Sequence, residues 1–201
     1  MSARRLVPRL QDAALRRVTH PLGHRRLRLA GVEVSPTAKL MGLPIISRCA
    51  GSQIVIEIEV VLCSWSRWTA LGVSHAVVIR TLTAAASLRI GRGTGISGGS
   101  FCAAVSVDIG ERCFIGADVV IVDTDFHSLA DADRRTGDDW GKIQSAAVHI
   151  GDGVFIGARS TVLKGVHVGD GAVIGAGSVV TRSVPARHVA AGNPAVVVRA
   201  L

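Results

Sequence analysis

The sequence predicts an all-β solenoid, in which short parallel strands wind into a three-sided coil and coil stacks on coil. Two observations carry this. Aliphatic residues are abundant while aromatics are scarce, with four Phe, three Trp and no Tyr, and 23 Gly divide the apolar mass into short pieces. Val and Ile favour pleated, half-buried backbone, and Gly with Ser, Thr, Asn and Asp favours turns. The second observation is a repeat. The blocks IGDGVFIGARSTVLKGVH (150–167) and VGDGAVIGAGSVVTRSVP (168–185) agree at half their positions. Solenoids announce themselves by such self-similarity.

Within these blocks an aliphatic residue returns every six positions: Ile150, Ile156, Val162, Val168, Ile174 and Val180. A helix turns in about 3.6 residues, so six fits a short strand plus a corner. Three such units close a triangular coil whose neighbours lie eighteen residues away in sequence. A small residue stands two positions before each aliphatic, and Gly often stands just after it, where it reads as a residue accepting turn dihedrals that others resist. The same pattern runs through Ile90, Ile96 and Cys102, then through Ile109, Ile115 and Ile121 after a one-residue slip. Val34, Leu40 and Ile46 suggest a first coil, whereas 52–89 shows no secure register. The apolar run Ile54 to Cys63 carries Glu57 and Glu59 at alternate positions, which reads as strand alternation.

At 201 residues the chain suits one domain with a proper core. Residues 1–32 form a basic, helical or extended arm, with eight Arg (Arg4, Arg5, Arg9, Arg16, Arg17, Arg25, Arg26, Arg28) against Asp12. Residues 33–201 form the coil domain. The arm accounts for +7 of the net +8, and weak contact with an anionic membrane surface is open to it. No aromatic side chains interleave with its arginines for base stacking, so nucleic acid is not an expected partner. No apolar run is long enough to span a bilayer, and no apolar segment follows the charged N-terminus as in a standard signal peptide. Arg-rich, acid-poor N-termini also mark organellar transit peptides, but a cytoplasmic location is the expectation. Cys49, Cys63, Cys102 and Cys113 lack CxxC spacing, so they read as small buried side chains rather than zinc ligands.

The chemistry is expected where the repeat breaks. After Ile121 the chain reads VDTDFHSL (122–129), and the repeat resumes at Ile150. The intervening stretch, including DADRRTGDDWGK (131–142), is polar and leaves the coil as a loop excursion over 128–147. Long excursions from compact domains are usually binding loops or lids.

The hexapeptide pattern and DTDFH together resemble the left-handed β-helix acyltransferases, closest to the galactoside, maltose, nodulation-factor and colanic-acid-type O-acetyltransferases. The resemblance covers roughly 34–200 and implies the left hand of the coil, a homotrimer, acetyl-CoA as co-substrate, no metal, and a hydroxyl-bearing sugar as acceptor. It assigns His127 as general base. An imidazole of ordinary pKa near 6.5 is largely neutral at pH 7, and a thioester needs only an activated hydroxyl. Asp125 or Asp123 would orient the ring, with Asp125 preferred and Asp123 near the acceptor. Where galactoside enzymes carry an acceptor-lining Asn, this chain reads Ser97-Gly98-Gly99-Ser100, so Ser97 stands in and the acceptor contact differs. For the donor, the resemblance marks Ala158 and Ala176 beside the pantetheine arm and Thr181 and Arg182 at the CoA end. Ala191-Gly192-Asn193-Pro194-Ala195 matches the family's closing motif; the Arg expected soon after it is Val196 here, while Arg199 falls where a second basic residue often stands.

Other readings share the architecture. N-acyl transfer to a sugar amine or an antibiotic is one. A γ-class carbonic anhydrase is another, because His149 and His167, eighteen apart, should stack on adjacent coils; each precedes an inward aliphatic and so should face out, and no third His completes the set. A scaffold without catalysis is the last.

Overall fold

A computed structural model describes residues 6–136 and 141–201. Arg4 and Arg5 of the arm, and positions 137–140 of the excursion, lie outside the described residues. The chain forms a left-handed parallel β-helix with three faces. Face 1 stacks Glu33–Val34, Gln53–Ile56, Ser87–Ile90, Ser106–Ile109, Val148–Ile150 and His167–Val168. Face 2 stacks Lys39–Met41, Val61–Cys63, Gly95–Ser97, Phe114–Ile115, Phe155–Ile156 and Val173–Ile174, then closes with the antiparallel pair His188–Gly192 and Ala195–Ala200. Face 3 stacks Ile45–Ser47, Val78–Thr81, Ser100–Ala103, Val120–Val122, Thr161–Val162 and Val179–Val180. Each coil visits the faces in the order 1, 2, 3, so face 3 is bounded by a 2/3 edge and a 3/1 edge.

The inward aliphatics fill the prism. Ile90, Ile109, Ile121, Ile150, Ile156, Val162, Val168, Ile174 and Val180 are all fully buried, and so are the residues two before them, such as Val148, Ser160 and Ser178. A coil buries this surface only against its neighbours, so stability is a sum of coil-to-coil contacts.

The glycines after the inward aliphatics work differently from the sequence expectation. Gly91, Gly110, Gly116, Gly151, Gly157 and Gly169 do not have positive φ. Each instead lies so close to the next coil that an added Cβ would strike it; at Gly116 that Cβ would sit 2.6 Å from the backbone N of Ala158. Left-handed backbone falls elsewhere on the edges, at Arg112, Asp118, Arg159 and Arg187 as well as at Gly153, Gly171 and Gly177.

The stretch without register holds a complete coil. Gln53–Ile56 and Val61–Cys63 are separate strands, with Glu59 at φ 61° turning the corner between them, so Glu57 and Glu59 do not belong to one alternating strand. An excursion over 64–77 then leaves at the 2/3 edge before Val78–Thr81, which displaces the eighteen-residue spacing. Trp65 and Trp68 stack within it at 5.3 Å, and Ser74 ties it down by donating from N and Oγ to Asp118 at 2.8 and 2.6 Å. Desolvation opposes charge on Asp118, but the Ser74 bonds outweigh it and hold its pKa below the ordinary value. Burial pushes the Cys102 and Cys113 thiols up, as expected of buried, unreactive cysteines.

The arm is helix α1, Leu6–Leu29, and its C-terminal half packs on the first coil. Leu27 is fully buried, and Gly23 lies against Leu40. The Ala38 carbonyl accepts from His20 Nε2 at 3.1 Å and His24 Nε2 at 2.9 Å. His24 is buried, and its Nδ1 has no hydrogen bond. The described charged groups that line the clefts at the pair are cationic: Arg17, Arg25 and Arg28 from the helix and Lys39 from the coil. Desolvation lowers the His24 pKa below 6.5, with His20 and Arg28 adding to it and the Ala38 bond opposing.

Two outcomes follow. Gly116→Ala should cost about 2 kcal/mol or more in urea unfolding, as overpacking does. Gly153→Asn, where nothing lies within 4 Å of the added Cβ, should stay within about 1 kcal/mol; equal losses would contradict close approach as the reason for the repeat glycines. The second concerns pH. An unfolded or undocked His24 binds a proton more readily than the docked one, so its contribution is complete above pH 6.5 and declines as pH falls below it. Amide exchange over Leu22–Leu29 should therefore accelerate on acidification, relative to that of the coils.

Candidate active site

The excursion that interrupts the repeat begins at the 3/1 edge of the fourth coil. Val107 pairs with Val148, 41 residues on, where regular coils pair residues 18 apart, as His149 does with His167. The departing and returning chains form a short antiparallel base. Thr124 bridges Ser145, whose Oγ donates to Thr124 Oγ1 at 2.8 Å, and Asp125 N donates to the Gln144 carbonyl. Helix α2, Asp131–Thr136, lies farther out.

Asp123 is fully buried at the point of departure. Its carboxylate accepts from the backbone N–H groups of Ala104, Val105 and Ser106, all at 2.7 Å. Those amides belong to the edge of the preceding coil, so Asp123 holds the two coils together where the strand ladder stops. This corrects its assignment to the acceptor: both oxygens are occupied and none of the side chain is accessible.

Asp125 also departs from expectation. Its Oδ1 receives Lys164 Nζ at 2.7 Å, while Oδ2 is buried without a hydrogen bond. The carboxylate is therefore paired with Lys164 rather than with the imidazole two residues on. Lys164 comes from the same edge of the next coil. Sequence reasoning misses it, although it aligns with Arg182 when the two eighteen-residue blocks are superposed. Phe126, at φ 63°, adopts a left-handed conformation uncommon for a bulky residue, and its N–H donates to Thr124 Oγ1. His127 follows it and is exposed.

The edge continues through Thr181 and Arg182 in the sixth coil, both exposed. They line a cleft of about 300 Å³ with Pro194, Ala195 and Val196 of the closing motif. His127, Lys164, Thr181 and Arg182 thus share one edge on three successive coils. Ala158 and Ala176 stack on each other at the 2/3 edge, where the Gly177 N–H donates to the Ala158 carbonyl. Arg199, exposed on the final strand, does not line the cleft. Ser97 sits at the 2/3 edge end of its face 2 strand and lines a separate cleft with Trp68, Phe114 and Phe155. Within one chain it lies at the other side of face 3 from His127, on the edge that carries Ala158 and Ala176.

His149 and His167 stack face to face at 4.8 Å on the outer side of face 1, with His149 Nδ1 3.1 Å from Asp108 Oδ2. Among the described residues no group of three His, Cys, Asp or Glu side chains converges as a metal set. No described helix is long and apolar enough to cross a membrane.

Residues 106–122 and 147–182 match the family described as the hexapeptide repeat of succinyl-transferase. These two segments carry that family's hexapeptide repeat. A polysialic acid O-acetyltransferase of Escherichia coli O1:K1 is 42% identical over 94 residues, which is 47% of this chain and 29% of that relative. This chain therefore matches under a third of the curated relative's length. Among solved structures, the polysialic-acid-specific acetyltransferase NeuO superposes with a TM-score of 0.63 at 26% identity, covering 81% of this chain and 68% of that one. A hexapeptide-repeat acetyltransferase of Vibrio cholerae O1 biovar eltor, complexed with acetyl coenzyme A, gives a TM-score of 0.52 at 29% identity, over 57% of this chain and 60% of the other.

Asp123→Ala leaves three backbone N–H groups, one buried and two part-buried, without this acceptor and should lower stability by roughly 3 kcal/mol, whereas Asp123→Asn should lose less. Chemical denaturation measures both; an Ala variant as stable as the native chain would remove the edge role of Asp123.

Proposed function

We propose that this chain is an acyl-CoA-dependent O-acetyltransferase, carrying acetyl from acetyl-CoA to a hydroxyl of a carbohydrate. The observation that carries the reading is the 3/1 edge. An exposed imidazole at the break in the repeat stands on the same edge as Thr181 and Arg182 and their cleft. The O-acetyltransferase names of the relatives support the reaction class, and the acetyl coenzyme A bound in the Vibrio structure supports the donor.

In this reading His127 takes the proton of the acceptor hydroxyl as its oxygen bonds to the thioester carbonyl carbon. The tetrahedral adduct collapses by breaking its C–S bond, the thiolate leaves with CoA, and the imidazolium returns the proton to it. No acyl-enzyme forms, because the donor is already activated. Arg182 offers a planar fork to the phosphates of CoA, and backbone N–H groups of a neighbouring coil would meet the developing oxyanion. Lys164 and Asp125 fix the base of the loop that presents His127. Three copies would close around a three-fold axis, a symmetry open to chains with flat prism faces, with the donor lying between subunits along Ala158 and Ala176. Acetyl-CoA as donor suits a cytoplasmic reaction.

The test is release of CoA thiol from acetyl-CoA, followed with mono- and polysaccharide acceptors. The native chain should turn over, and His127→Ala should lose about 10²- to 10⁴-fold in kcat with an unchanged thermal melt. Equal turnover in both would remove His127 from the chemistry.

A further inference from the structure

We infer that helix α1 and the first coil form a docking surface for an acidic polysaccharide, separate from the reaction centre. This deepens the proposed function by naming the charge class of the acceptor, and it rests on that reading only for the identity of the partner as a glycan.

Two clefts, of about 460 and 380 Å³, adjoin along the helix and share His20 and Pro21. One is lined by Arg25 and Arg28, the other by Arg17 and Lys39, and no acidic residue among those described lines either. These four cations are exposed. Three arginines of the coils are held differently. Arg89 is clamped between Glu57 at 2.8 Å and Asp108 at 3.0 Å, Arg92 pairs with Glu111 at 2.8 Å, and Arg112 pairs with the same Glu111. None of Arg17, Arg25, Arg28 and Lys39 forms an ion pair with a described carboxylate. These three coil arginines are thus paired with carboxylates, and the four cations of the clefts are not.

Such a field attracts a polyanion, and the contacts it offers suit a chain of repeated charges better than one small anion. The cations line two clefts that share His20 and Pro21, so carboxylates spaced along an acidic glycan would meet the three guanidinium groups, which bind carboxylates bidentately, and the ammonium. Apolar wall from Pro21, Leu29, Pro36 and Met41 offers packing surface between the charges. The surface belongs to the first coil and His127 leaves the fourth. Three coil steps of about 4.8 Å separate them along the axis by roughly 15 Å, so one sugar residue does not span both and a polymer does. The helix would then hold a long acceptor while His127 acts on another part of it.

The test compares the full chain with the triple variant Arg17→Gln, Arg25→Gln, Arg28→Gln, whose substitutions are exposed and whose folding is checked by thermal melt. Four probes are titrated at fixed ionic strength: polysialic acid, neutral dextran, a single-stranded oligonucleotide matched in charge, and vesicles containing phosphatidylserine. The native chain should bind polysialic acid with an affinity that falls as salt rises, and dextran should not bind. The triple variant should bind polysialic acid about tenfold or more weakly, with a shallower salt dependence. In turnover, the KM for the polymer should rise while turnover of a short acceptor is unchanged, and His127→Ala should leave binding intact. Equal binding by native and variant chains, or no preference of the native chain for polysialic acid over dextran, would overturn the surface. Tighter binding to the oligonucleotide or the vesicles than to polysialic acid would overturn the choice of partner. Binding without any acetyl transfer would sink the proposed function and leave the surface standing.

Discussion

The strands of each coil pair with those of the coil before it and the coil after it, and that contact constrains the rest. The backbones must approach closely enough that six repeat positions leave no space for a Cβ. Coils must also keep nearly one length, so any extra chain can leave only at an edge. Carboxylates maintain the stack there. Asp170 accepts from Asp152 N at 2.9 Å and Asp152 from Glu111 N at 2.8 Å, each reaching to the preceding coil. Asp118 does the same for the 64–77 excursion through Ser74, and Asp123 does so three times over at the root of the larger one. Asp123, placed near the acceptor by its position in DTDFH, is thus the residue that holds the coils together where the chain departs from the repeat.

Function and fold are joined at the 3/1 edge. Because strands in adjacent coils are in register, residues eighteen apart appear one above another, and a row of side chains from distant parts of the chain becomes a local surface. Lys164 and Arg182 are such a row, with His127 entering it from the coil above. Lys164 is the point where this row touches the loop, since its ammonium neutralises Asp125 at the base of the turn that carries Phe126 and His127. Partly buried pairs of this kind stabilise less than their charges suggest, but removing one partner leaves the other exposed to a desolvation cost. The pair therefore fixes geometry more than it adds stability.

Much of the fold is legible because a solenoid writes its geometry as a period. Ile90, Ile96, Ile109, Ile115, Ile121 and Ile150 through Val180 fall on inward rows by counting in sixes, but at the third coil Phe101, not the expected Cys102, stacks on Ile121. The same count turns His149 outward, beside His167. The count fails at 52–89, since the excursion at 64–77 shifts every later position and the corner at Glu59 mimics strand alternation. It also misassigns the repeat glycines, because sequence records the absence of a side chain but not whether φ or a neighbouring backbone requires it. At the site, residue types are visible while directions are not. DTDFH locates the loop, yet only coordinates separate Asp123, turned into the stack, from Asp125, turned to Lys164. Ser97 is matched by distance along the chain, and the coil carries it to the other edge.

The most direct measurement of the central claim is a crystal structure of the chain with coenzyme A bound. The sulfur should lie at the 3/1 edge, close enough to His127 that an attacking hydroxyl fits between them within hydrogen-bond reach of the imidazole, about 3 Å. Density for the thiol remote from the His127 of every subunit, or with Arg182 remote from the cofactor's phosphates, would contradict it.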